Sequence, residues 1–221
     1  MRTIIILLAA LLTNIQFGFS QGTFQDLNFE AANVSDDPVN SLVPTTAALP
    51  GWQAFYSGSA TAQVGYDFIS IGAPLISIVD NKAGLPIQGN YSAYLFSAFT
   101  TSSSLSQAAT VPFGTESIQL DANQSAFASF VVTLGGETIN MVPLQSLSDY
   151  TLYRGDVSTF ADQDVALSIT ELPPTNPGYS PSLLELDNIV FSPNAVPEPS
   201  VVALGAIGGL LFGARKWFAR R

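Results

Sequence analysis

Phe127-Ala128-Ser129-Phe130-Val131-Val132-Thr133-Leu134-Gly135-Gly136-Glu137-Thr138-Ile139-Asn140-Met141-Val142-Pro143-Leu144 is two β-rich runs joined by a pair of glycines. Both turn positions take positive φ at no steric cost, so Phe127–Leu134 and Glu137–Leu144 read as the two arms of a hairpin. Working outward, the same period of two returns. Ile118 and Leu120 alternate with Ser117, Gln119 and Asp121; Val165, Leu167 and Ile169 alternate with Ala166, Ser168 and Thr170. Further strands are expected at Tyr66–Ile71, Leu75–Val79, Tyr91–Phe96, Tyr150–Arg154 and Leu183–Phe191. Pro, Gly, Asn and Asp interrupt the chain at short intervals, and no stretch between residues 21 and 195 holds an apolar period of 3.6. Eight or more short strands and no long helix make this an all-β chain, expected as a single β-sandwich over residues 21–195.

Composition removes several kinds of chemistry. The 221 residues contain no Cys and no His. Thiol nucleophiles, disulfides, zinc fingers, imidazole-ligated metals and Ser-His-Asp triads are therefore excluded. Lys and Arg number 7 against 17 Asp and Glu, a formal charge of -10. Nucleic acid is not an expected partner, because phosphate binding needs clustered basic side chains. Gly135-Gly136 is a turn and not a phosphate loop, since no Lys-Ser or Lys-Thr follows it and no G-x-G-x-x-G occurs. No cofactor is expected.

The two ends read as addresses. Arg2 precedes the apolar run Ile4–Leu12, and small residues follow at Gly18 and Ser20. That order predicts a secretory signal peptide over residues 1–20, helical in its apolar part, cut between Ser20 and Gln21. At the far end, Pro197-Glu198-Pro199 precedes an uncharged stretch, Val201–Ala214, and then the basic cluster Arg215, Lys216, Arg220 and Arg221. Fourteen helical residues rise about 21 Å, short of a ~30 Å hydrocarbon layer. Ser200 and the long stems of Arg215 and Lys216 extend the span, so a C-terminal transmembrane helix is expected. The basic cluster would hold that end on the cytoplasmic side of the inner membrane.

This order of features resembles the PEP-CTERM sorting signal over residues 196–221, and the signal peptide is its usual companion. The resemblance implies a bacterial cell-envelope protein that an exosortase-type enzyme cuts near Pro197-Glu198-Pro199. It also implies an association with exopolysaccharide. An uncut membrane anchor is the alternative.

The segments Leu27-Asn28-Phe29-Glu30, Leu49-Pro50-Gly51-Trp52, Gln88-Gly89-Asn90-Tyr91 and Leu186-Asp187-Asn188-Ile189 resemble those of galactose-binding-like jelly rolls. The resemblance implies first and last strands side by side, with Glu30 and Asp187 as ligands of a structural Ca²⁺. Oxygen ligands are the only kind this chain offers in number. Two acids at strand ends without a metal is the other reading.

Two functions follow from different classes. The first is a non-catalytic adhesive, matrix-associated or glycan-binding module; the second is an envelope glycoside hydrolase that works with carboxylates alone. Hydrolysis needs two facing carboxyls about 5–10 Å apart, one with a raised pKa. Asp36 with Asp37, Asp162 with Asp164, and Glu185 with Asp187 are the pairs available. Trp52, Phe55, Tyr56, Tyr66, Tyr91 and Tyr94 are candidates to stack on sugar rings or to fill the core, with Trp52 expected to be buried. Tyr150 and Tyr153 are open to both readings.

Overall fold

The computed structural model describes residues 22–34, 36–69, 75–82, 86–98, 100–126, 128–174 and 182–196. The signal segment, the cut at Ser20–Gln21, the Pro197-Glu198-Pro199 motif, the apolar span and the cluster Arg215, Lys216, Arg220 and Arg221 lie outside these residues. Among the described residues, no helix is long and apolar enough to cross a membrane.

Two sheets face each other. The strands in chain order are β1 (Ser41–Pro44), β2 (Gln53–Tyr56), β3 (Ser59–Thr61), β4 (Gln63–Tyr66), β5 (Ile76–Val79), β6 (Ser92–Ser97) and β7 (Ser103–Thr110). They continue as β8 (Ser117–Gln124), β9 (Phe130–Leu134), β10 (Glu137–Ile139), β11 (Val142–Ser146), β12 (Thr151–Asp156), β13 (Asp164–Glu171) and β14 (Ser182–Ser192). One sheet runs β1-β4-β5-β6-β14-β8-β12-β11 and the other β10-β9-β13-β7-β2-β3. All pairings are antiparallel except β4 with β5. Among the described residues, helix is confined to single turns at Thr45–Ala48 and Ser158–Phe160.

The alternation seen in the sequence becomes the core. Leu167 and Ile169 of β13, Val132 and Leu134 of β9, and Leu105 of β7 point inward from the smaller sheet. Ile118 and Leu120 of β8, Leu184, Leu186 and Phe191 of β14, and Leu95 of β6 meet them from the larger one. Each such side chain contributes about 1.5–3 kcal/mol by leaving water. Trp52 is 3% exposed, as expected, and its Nε1–H donates to the Asp26 carbonyl at 3.0 Å.

The opening hairpin forms, with Gly135 at φ 61° and Gly136 at φ 83° and Glu137 opposite Leu134. Its second arm is shorter than the sequence implied. After Ile139 the chain leaves the smaller sheet, and Val142–Ser146 joins the edge of the larger one. Pro143 has no N–H for a second neighbour, so this stretch suits an edge strand. The expected strand Tyr66–Ile71 is also displaced: β4 ends at Tyr66 because Asp67 turns to φ 54°, and residues 70–74 are not described. β1, β2, β3 and β7 were not foreseen. In β7 the inward positions begin Ser103, Leu105 and Gln107, so Leu105 is the single large apolar residue on that face.

Candidate functional site

Strand register assembles the site on the outer face of the larger sheet. Gln145 of β11 lies opposite Leu152 of β12, Leu152 opposite Asp121 of β8, and Asp121 opposite Asp187 of β14. The next line carries Arg154, Gln119 and Val190. Ile118 and Leu120 alternate inward, so these polar side chains share the opposite face. Two irregularities aim further groups here. β14 shifts register between Asp187 and Val190, with Asn188 at φ 49°, a conformation Asn tolerates better than most residues. The extra residue lets Asp187 and Asn188 lie on the same side while Ile189 enters the core. β11 shifts between Pro143 and Gln145, and Gln145 then aligns with Leu152.

The result is a groove of about 240 Å³. Its polar lining is four carboxamides, Gln88, Gln119, Gln145 and Asn188, around Asp121; Leu152 and Val190 form an apolar floor, with Leu147 and Tyr150 at one side. Asp121 Oδ2 accepts from Gln88 Nε2 at 2.7 Å and Asn188 Nδ2 at 3.2 Å. Those two bonds fix both amides and leave their carbonyl oxygens to accept from a ligand. Burial raises the pKa of Asp121, opposed by these same donors.

Gln88 is delivered by the segment before β6, and the two acids singled out in the sequence hold that segment. Glu30 Oε1 accepts from the Asn90 amide at 2.7 Å and the Tyr91 amide at 3.1 Å, and Oε2 accepts from Asn90 Nδ2 at 2.8 Å. Asp187 Oδ2 accepts from the Gln88 amide at 2.9 Å and Ser92 Oγ at 3.1 Å. Gly89, at φ 62°, sits so close to Glu30 Oε1 that a Cβ would collide with it. The segment carrying Glu30 meets β14 through the Ile189 amide, which donates to the Leu27 carbonyl at 2.9 Å, and through Phe24 against Phe191, and is not itself a strand. The first strand, β1, pairs with β4 at the far edge of the sheet, so the expected adjacency of first and last strands is replaced by this contact.

Both carboxylates thus face N–H and O–H donors, and a Ca²⁺ ion would have to displace them. Among the described residues, no three acidic side chains converge on one point. Calcium held by Glu30 and Asp187 would make the melting midpoint fall with a chelator. An unchanged midpoint leaves the pair as clamps of the loop.

The acid pairs weighed for hydrolysis are placed differently. Asp36, Asp37, Asp162 and Asp164 are exposed and do not line the groove. Glu185 and Asp187 share the outer face of β14, but they are 3% and 1% exposed. Burial pushes Glu185 up to about 7 and Asp187 up to about 6, the proximity of Glu30 adding to the latter. Of the expected stacking aromatics, Trp52 and Tyr66 are in the core, while Phe55 and Tyr56 belong to the smaller sheet. Tyr91 and Tyr94 are half-buried and outside the groove. The groove's own aromatic is Tyr150, which the sequence left open. Gln119 and Gln145 were missed, because scattered glutamines form no motif until register aligns them.

No protein-family model and no curated protein matches the chain. Among solved structures, TmCBM61 in complex with beta-1,4-galactotriose aligns with 78% of this chain and 99% of its own, at 12% identity and a TM-score of 0.44. The enzymatically active domain of Bacteriophage CBA120 tailspike protein 4 aligns with 65% of this chain and 19% of its own, at 8% identity and a TM-score of 0.39.

Proposed function

We propose that the protein is a glycan-binding surface module that holds its ligand without turning it over. One observation carries the reading: a solvent-open groove whose polar lining is four carboxamides and one carboxylate beside a tyrosine ring. Amides both donate and accept, as hydroxyl groups do, and fixed amides select an arrangement of hydroxyls at little entropic cost. A tyrosine ring and an aliphatic floor suit the apolar faces of a pyranose. Asp121 is the single carboxylate in the lining, which supports binding over hydrolysis, since hydrolysis needs a second carboxyl across the groove.

Affinity electrophoresis through gels containing neutral soluble polysaccharides tests this. Retardation is expected for the wild type, with Tyr150→Ala and Asp121→Ala each weakening retention about tenfold or more. Release of reducing ends by the wild type, or equal retention of all three proteins, would contradict the reading. Export and surface delivery are proposed from the two ends of the sequence. Intact mass of the protein from its native host is expected to lack Met1–Ser20 and the basic tail; a mature form that still carries Trp217 and Arg221 would make the tail an uncut anchor.

A further inference from the structure

The groove does not end at Tyr150. Beyond it lies a second hollow of about 380 Å³, lined by Asn123, Ser125, Ser148, Asp149 and Thr151. The first and second hollows share Leu147 and Tyr150 as their common wall. A third, of about 450 Å³, opens at the end of the sandwich beside Phe130, Thr138, Asn140 and Met141. The second and third share Gln124, Ala128 and Tyr153. A tyrosine therefore stands at each partition. Tyr153 is held there by an edge-to-face contact with Phe130 at 5.3 Å and by Gln124 Nε2, which donates to its hydroxyl at 3.3 Å. Tyr153 lies opposite the inward-facing Leu120, so the path turns around the end of the larger sheet between the two tyrosines.

Charge narrows the ligand further. Residues 22–196 contain 16 acids and two bases, Lys82 and Arg154. Lys82 lies 3.5 Å from Asp80 and donates to Tyr66, and Arg154 Nη1 donates to the Ala195 carbonyl at 3.2 Å. Neither base lines any of the three hollows, whereas Asp121 and Asp149 do.

Resting on the glycan reading above, we infer that the ligand is an internal stretch of a neutral polysaccharide, at least three linked sugar units long. It runs from the Gln88–Asn188 groove past Tyr150 and Tyr153. A lone terminal sugar would fill the first hollow and leave the other two idle.

The probes are the neutral polysaccharide that most retards the protein in affinity gels and the size-fractionated ladder from its partial hydrolysis, titrated calorimetrically into the full-length protein. Affinity is expected to rise at least tenfold between one and three units and then to level off. Asn140→Ala, at an exposed position in the third hollow, is expected to remove the last part of that gain. Tyr153→Phe keeps the ring packing and is expected to lose less. Polygalacturonate is expected to bind at least tenfold more weakly than the neutral polymer. Equal affinity at every length, or equal affinity for polygalacturonate, overturns this inference while leaving a glycan-binding groove. No retardation by any polysaccharide overturns both.

Discussion

The melting midpoint is expected to be higher at pH 5 than at pH 8, by about 5–10 °C. Acid usually weakens folded proteins, and the reversal comes from buried carboxyls that hold protons tightly. Burial pushes Glu171 and Glu185 up to about 7, and Asp26, Asp67 and Asp187 up to about 6. Glu171 is fully buried at the end of β13, and neither of its oxygens has a hydrogen-bond partner. Glu185 Oε1 is buried and unpartnered too. A carboxyl with a folded pKa above its unfolded one stabilises the fold in its protonated form. That contribution is complete below pH 4 and is lost as pH rises through 6 to 7. Asp80 and Asp156 run the other way, but their pKa values are lowered, so they act below the window compared. Falling net negative charge adds in the same direction. Glu171→Gln and Glu185→Gln are expected to raise the midpoint at pH 8, change little at pH 5 and flatten the profile. A midpoint that falls steadily from pH 8 to pH 5 would show that these acids are ionised and paired.

Asp187→Ala is expected to cost about 3 kcal/mol, lowering the midpoint by roughly 6–12 °C, and to abolish glycan retention. The side chain accepts three donors, the Gln88 and Asn188 amides and the Ser92 hydroxyl, at a position 1% exposed. Alanine leaves all three without an acceptor in a place water reaches poorly. The segment 87–91 then loses one of its two carboxylate clamps, and Gln88 loses the backbone bond that aims it at Asp121. Asp187→Asn retains one acceptor oxygen and is expected to fall between the two. A variant that melts with the wild type would mean that loop 87–91 is held by other contacts.

Particular residues show what the sequence could and could not tell. The Gly135-Gly136 turn and the alternation at Ile118–Leu120 and Val165–Ile169 placed the main strands, because their inward positions are apolar and most outward ones are small or polar. β7 hid because its inward residues include Ser103 and Gln107. Glu30 and Asp187, expected together as calcium ligands, both accept hydrogen bonds from loop 87–91. The groove itself was not readable. Gln119 and Asp121 come from β8 and Gln145 from β11, and they meet only through the register of β8, β12 and β11. Its one local hint was Asp187-Asn188, two adjacent polar residues inside an apolar strand, which is where the bulge falls.

The proposed ligand site is the outer groove of the larger sheet. Amide chemical shifts of the isotope-labelled domain, followed while the retained oligosaccharide is titrated in, test it most directly. Shifts are expected at Gln88, Gln119, Asp121, Gln145, Tyr150 and Asn188, including the side-chain amides, with β2, β3 and β7 of the smaller sheet unmoved. Shifts confined to β2, β3 and β7, or no shifts at saturating oligosaccharide, would contradict it.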